Sequence, residues 1–262
     1  MREILSLLLP LALAFFASAA YAGIKTETVE YKQGGVALEG FLAYDDAVKG
    51  SRPGVLVVHD WMGIGPFSKD KAVELAKLGY VGFAVDVYGQ DVRPKNAKEA
   101  AEAAGKFKRD RKLLRERMHA ALDYFKTREL VDAERIGVIG YCFGGMAALE
   151  LGRSGAKIAA LVSFHGSLDS PAPEDGKNIK AKVLVLHGAD DPHVTAQDLA
   201  AFENEMRQAQ LDWQLVKYGN AVHSFTNPAA GTDNSKGAAY NEKADKRSWQ
   251  AMRDFLSEAL AK

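Results

Sequence analysis

The chain holds a single cysteine, Cys142, among 262 residues. That excludes an intramolecular disulfide framework and a zinc site built from several cysteines. It also lacks net charge: 34 Lys plus Arg balance 34 Asp plus Glu. A neutral chain carries no electrostatic footprint for nucleic acid or an anionic membrane. Proline is scarce, at 8 residues, and hydrophobic residues make up 47%. Those values exclude collagen-like, disordered and coiled-coil chains. The six histidines show no H-x-H, H-E-x-x-H or H-x₃-H pair, so no metal site and no other cofactor is expected. Between Gly23 and Lys262 there is no internal repeat, low-complexity tract or linker.

Long apolar runs are equally scarce. The N-terminal run, Ile4 to Ala17, is interrupted by Ser6 and Pro10. It falls short of the roughly 20 apolar residues that a membrane span needs. Ala20-Tyr21-Ala22 follows and has the form of an A-x-A cleavage site. The pattern predicts a signal peptide over residues 1–22, cut after Ala22, with Ala19 as the other candidate. No cysteine follows that would take a lipid. The expectation is a periplasmic or secreted protein, free of the membrane once the leader is removed, with residues 23–262 as one domain.

That remainder alternates two periodicities. Continuous apolar runs at 54–59, 81–87, 135–140, 158–163, 182–187 and 213–218 read as strands buried on both faces. Gly35 to Ala43 reads as an antiparallel partner of Thr26 to Tyr31. Between the runs lie helical patterns: Ala72, Leu75, Ala76 and Leu78 closed by Gly79; Leu114, Met118, Ala121, Leu122 and Phe125; Leu199, Phe202 and Met206 after an N-capping Thr195; and Trp249 to Leu260. The Ala-rich, charged stretch Ala97 to Gly105 reads as a solvated helix. Such alternation predicts a mostly parallel central sheet flanked by helices on both faces.

In such sheets ligands bind beyond the carboxyl ends of the strands. One strand ends in Gly140-Tyr141-Cys142-Phe143-Gly144-Gly145 and runs on into a helical pattern. This is the nucleophile elbow G-x-S-x-G with Cys in place of Ser. A free Cys is most often a small buried hydrophobe, but a core Cys needs no glycine two residues to either side. A helix N-terminus aimed at the sulfur favours thiolate and offers N–H donors. A nucleophile needs a base, and the base an orienting acid. Hydrolases with this elbow place them in the order nucleophile, acid, His. Asp190-Asp191 follows the next strand but one, and His223 follows the last strand. Of the other histidines, His119 reads as surface and His187 as core. His193 lies too close to the acid loop to be the base, and His59 and His165 end strands and are candidates to line the pocket.

Three segments together resemble the dienelactone hydrolase family of the α/β-hydrolase superfamily. They are Val58-His59-Asp60-Trp61-Met62-Gly63, the Cys142 elbow, and Gly188 to Val194 followed by Ala221-Val222-His223-Ser224-Phe225. The resemblance spans about residues 26 to 260 and implies the α/β-hydrolase fold. It implies Cys142 as nucleophile, Asp191 rather than Asp190 as acid, and His223 as base. It places Asp60 against the resting thiol, one methylene shorter than the family's usual Glu. It assigns the oxyanion hole to the backbone N–H groups of Trp61 and Phe143.

Members that cleave carboxymethylenebutenolide hold the substrate carboxylate with two arginines. The matching positions here are Gln90 and Asn227, with Arg93 as the nearest alternative cation. The expected activity is hydrolysis of a small ester or lactone through a thioester, by a monomer or small homo-oligomer. The alternatives are an acyltransferase using the same thioester and a binding protein that keeps the fold with Cys142 inert.

Overall fold

The computed structural model describes residues 23–262. The expected leader and its cleavage site lie outside the described residues. The strands are β1 (Ile24–Gln33), β2 (Val36–Asp45), β3 (Arg52–Val58), β4 (Val81–Val85), β5 (Val131–Tyr141), β6 (Ala160–Phe164), β7 (Lys182–Gly188) and β8 (Trp213–Tyr218). They form one sheet in the order β1-β2-β4-β3-β5-β6-β7-β8. β1 and β2 are antiparallel, β2 pairs antiparallel with β4, and β3 to β8 run parallel. The chain moves outward from β3 to β4, then returns to add β5 on the other side of β3. That reversal is a topological switch point, where an open α/β sheet forms its crevice.

Among the described residues six α-helices cover the sheet: α1 (Pro66–Lys77), α2 (Ala97–Arg109), α3 (Arg111–Lys126), α4 (Phe143–Arg153), α5 (Ala196–Gln208) and α6 (Glu242–Ala259). The period-2 alternation of the strands decides which core each side chain joins. Leu56 and Val58 of β3 and Ile136 and Val138 of β5 point to the face covered by α3, α4 and α5. Val55, Val57, Ile139 and Tyr141 point to the face covered by α1 and α6. Both sides of the central strands are therefore dry, which is why those strands read as unbroken apolar runs.

Helix starts follow their side chains. Asn96, Asp110 and Asn241 each accept an N–H from the first turn of α2, α3 and α6. Thr195 and Asp198 form a reciprocal capping box on α5. α4 is buried along its whole length. Its Arg153 is fully buried and fork-bonded to Glu205 (2.8 and 2.6 Å), with Glu150 at 3.0 Å. This ion cluster ties the helix behind Cys142 to α5.

Two expectations need correction. The Ala97–Gly105 stretch is not a solvated helix. Ala100, Ala104 and Phe107 line one buried face of α2, at the i, i+4, i+7 spacing of an amphipathic helix. His119 is half-buried, and its Nε2 lies 2.8 Å from Ser154 Oγ.

Candidate active site

The parallel strands deliver their C-terminal residues to one end of the sheet: His59 to Trp61 after β3, Asp86 to Tyr88 after β4, Cys142 after β5, His165 after β6, Asp191 after β7 and His223 after β8. Cys142 is the N-cap of α4 and has φ 54° and ψ −115°. A non-glycine residue pays steric energy there, and such strain persists only when its surroundings hold it. The glycines show how. A Cβ on Gly140 would overlap the carbonyl of Gly144, and one on Gly144 would overlap the carbonyl of Val58. The elbow is thus pressed against the end of β3 with no space for a side chain at either position.

Asp191 Oδ2 lies 2.8 Å from His223 Nδ1, and His223 Nε2 lies 3.0 Å from Cys142 Sγ. The three side chains form one hydrogen-bonded line. Asp191 Oδ1 also accepts the N–H of His193 at 2.8 Å, which fixes the carboxylate plane. Burial opposes charge on His223, but the hydrogen bonds and charges of Asp191 and Cys142 outweigh it and push its pKa up to about 10. Burial also opposes ionisation of Asp191, and its bond to His223 more than offsets this, holding the carboxyl below its usual range. The pair thus favours a proton on the ring that faces sulfur.

The Phe143 N–H starts α4, and the Trp61 N–H lies in the turn after β3. Neither has an acceptor among the described residues. The Trp61 carbonyl accepts the Tyr88 hydroxyl at 3.0 Å, which anchors that turn. Tyr88 was not singled out from the sequence. Its ring stacks on Phe107 at 5.5 Å, meets His59 edge-on at 4.7 Å and lies 5.3 Å from Phe143. Phe107 of α2 therefore supports the aromatic layer beneath the elbow.

Several expected site residues are placed differently. Asp60 does not hydrogen-bond the thiol. Its Oδ1 accepts the Met62 N–H at 2.8 Å in a local turn, and burial raises its pKa. The thiol is instead bonded to His223. His59 and His165 do not line an open pocket, since both are buried with both ring nitrogens engaged. His59 Nδ1 meets the Asp60 carbonyl at 2.6 Å and its Nε2 accepts the Val87 N–H at 3.2 Å. Arg93 is not a free cation. Its guanidinium donates to buried Asp86 at 3.2 Å and to the carbonyls of Gly89 and Val92. Asn227 accepts the Ala229 N–H at 3.0 Å and so caps a short turn, while Gln90 is exposed.

A groove of about 1070 Å³ lies between α3, the β1–β2 turn and residues 171–175, and it contains none of these residues. Its Arg111 and Arg115 are already paired with Asp169, Glu150 and Asp175. Among the described residues no cluster of three or more His, Cys, Asp or Glu is arranged to hold a metal ion, and no helix is long and apolar enough to cross a membrane.

A mostly parallel eight-stranded sheet, with a Gly-flanked strained elbow at its switch point and a histidine beside the elbow sulfur, defines an α/β-hydrolase. Its sequence matches the profile of the dienelactone hydrolase family over residues 38–260, and the chain belongs to that family. It is 34% identical over 200 residues to a Bradyrhizobium protein described as "Probable 2-oxo-3-(5-oxofuran-2-ylidene)propanoate lactonase", covering 71% of this chain and 79% of that one. Two solved structures are each 38% identical and cover 91% of this chain and 99% of their own. One is named m3DLH, with a TM-score of 0.87. The other is a dienelactone hydrolase-like promiscuous phosphotriesterase from metagenomic libraries, with a TM-score of 0.86. The protein is a hydrolase.

Proposed function

We propose that the protein is a cysteine-dependent hydrolase of small neutral esters and lactones. The observation that carries this reading is the unbroken line from Asp191 through His223 to Cys142 Sγ, at 2.8 and 3.0 Å. In this mechanism His223 holds the proton and Cys142 attacks the carbonyl carbon as thiolate. The Sγ–C bond forms as the carbonyl π pair moves onto oxygen. The N–H groups of Phe143 and Trp61 receive that oxyanion; aligned donors of this kind act on charge that develops in the transition state. The C–O bond to the leaving group then breaks, and His223 gives its proton to the departing oxygen. Water, deprotonated by His223, cleaves the thioester and restores the thiol pair. Asp191 keeps the imidazole in the tautomer and orientation both steps need.

Neutrality of the substrate follows from the positions where the family resemblance expects cations. Gln90 and Asn227 offer no charge, and Arg93 is committed to Asp86. The similarity to a phosphotriesterase favours a second substrate class at the same centre. A neutral aryl phosphotriester would accept Cys142 Sγ at phosphorus and expel aryloxide, with water releasing the phosphoryl group.

The test is a panel of neutral esters, lactones and aryl phosphotriesters with Cys142→Ala as control. Hydrolysis that falls by several orders of magnitude in the variant supports the reading, because members of such a unit fail together. Retention of more than about a tenth of wild-type kcat would overturn the nucleophile. Product analysis with added alcohol tests acyl transfer, and a dominant transfer product would replace hydrolysis by transferase activity.

We further propose that residues 1–22 are a cleaved leader and that residues 23–262 act as one domain in the periplasm or outside the cell. N-terminal sequencing of exported protein should begin at Gly23, and a start at Met1 would overturn it.

A further inference from the structure

His165 is absent from the proposed chemistry yet touches both of its halves. It lies at the end of β6 with φ 39°, and its own N–H donates to the Leu186 carbonyl of β7 at 2.8 Å. Its Nδ1 lies 3.2 Å from the Cys142 backbone nitrogen, whose N–H also reaches the Phe164 carbonyl at 3.0 Å. Its Nε2 lies 2.8 Å from the hydroxyl of Thr226. Thr226 is buried and follows His223 by three residues on the same loop.

The backbone N–H can only donate, so Nδ1 must carry its lone pair. Neutral His165 is therefore the Nε2–H tautomer, and that N–H donates to Thr226 Oγ1. The imidazole forms a rigid strut between the peptide of Cys142 and the loop that carries His223. We propose that His165, held by Thr226, is a positioning residue that sets the Cys142 Sγ to His223 Nε2 separation. The inference rests on the reading of Cys142 as nucleophile.

The surroundings suit that task. The His223 ring lies 5.2 Å away edge-on, Phe225 lies 5.1 Å away, Tyr141 faces the ring at 6.1 Å from β5, and His187 faces it from β7. Burial, and then the charge on His223, hold the His165 pKa well below the usual range. A proton on Nδ1 would set two donors against each other at the elbow, so neutrality is what the strut requires.

The experiment uses the whole protein. Nitrogen-15 spectra of the histidine side chains at pH 7 should show His165 protonated at Nε2 alone. Thr226→Val keeps the shape and removes the acceptor. It should lower kcat by about tenfold, the loss expected for one buried hydrogen bond, with KM within about twofold. Alkylation of Cys142 by iodoacetamide, followed against pH, should lose reactivity at neutral pH, and Thr226→Ser should restore both readouts. An Nδ1–H tautomer in the wild type would overturn the proposal even if Thr226→Val failed to fold. So would an unchanged kcat and alkylation profile in Thr226→Val, or a loss that Ser does not restore. The spectra and alkylation need no substrate. A fully active Cys142→Ala would therefore remove the nucleophile reading on its own, and these outcomes would remove the strut on theirs.

Discussion

A side chain at Gly140 has nowhere to go but into the carbonyl oxygen of Gly144, on the far side of the elbow that holds Cys142. The obstacle is the backbone of Gly144 and Gly145, so no rotamer change relieves it. Gly140→Ala should cost about 1–3 kcal/mol by overpacking, or leave no folded protein. Gly219 gives the contrast, since a Cβ there meets nothing within 4 Å. Gly219→Ala should be neutral or stabilise by up to about 1 kcal/mol. Urea midpoints of the two variants check this. Equal midpoints would mean that the elbow can relax.

The strands and the elbow were legible because their signals are local. Runs such as Val55 to Val58 are apolar at every position because α3, α4 and α5 cover one face and α1 and α6 the other. Cys142 and His223 could be picked by order along the chain, and Asp191 over Asp190 through the family resemblance; the fold brings the three into one hydrogen-bonded line. Directions of side chains were not legible. Asp60 turns to the Met62 N–H two residues on, one of several local hydrogen bonds open to a carboxylate, and Arg93 turns to Asp86, which only the folded loop after β4 brings within reach. Tyr88 and Thr226 carried no spacing signal at all. Phe107 did carry one, at seven residues from Ala100, but the Lys and Glu around it made α2 read as solvated.

The His223–Asp191 pair makes stability depend on pH in a defined direction. The folded pKa of His223, about 10, lies above its ordinary 6.5. Its contribution is full below pH 6.5 and is lost as pH climbs through about 10. The folded pKa of Asp191 is depressed below 3.8. Its contribution is present above 3.8 and is lost as pH falls through the lowered value. His165 and His59 are depressed too, so acid below their ordinary 6.5 favours the unfolded chain. Wild-type protein should therefore lose stability from pH 6.5 towards 10, and His223→Gln should lose less. Urea midpoints across that window test the sign, and parallel slopes would contradict it.

Arg153 offers a test of packing behind the site. Its guanidinium is fully buried and bonded to Glu205 and Glu150, with the carbonyls of Leu168 and Asp169 as further acceptors. Arg153→Ala leaves Glu205 buried without its cation and should cost about 3–5 kcal/mol. Arg153→Lys keeps the charge but not the two-pronged geometry, and should fall between. A loss under about 1 kcal/mol in the alanine variant, the range of exposed pairs, would mean that water enters and hydrates the carboxylates.

Charge near the substrate is the last point of test. Gln90 is exposed, Asn227 uses its Oδ1 to cap Ala229, and Arg93 is held by Asp86. A substrate carboxylate would thus meet no free guanidinium from these three positions. One charge-assisted hydrogen bond contributes about 1.5–3 kcal/mol, or on the order of tenfold or more in kcat/KM. Neutral esters or lactones should therefore be hydrolysed at least as well as anionic analogues with the same leaving group. Gln90→Arg combined with Asn227→Arg should move preference towards the anion by about tenfold or more. Loss of the Asn227 cap is worth up to about 2 kcal/mol, so the melting temperature of the double variant separates a folding defect from a change in specificity. The measurement is paired kcat/KM for one neutral and one anionic substrate. A wild-type preference for the anion by about tenfold would mean that a cation reaches the substrate. Arg93 released from Asp86 would then be the first to replace, since it lies three residues from Gln90.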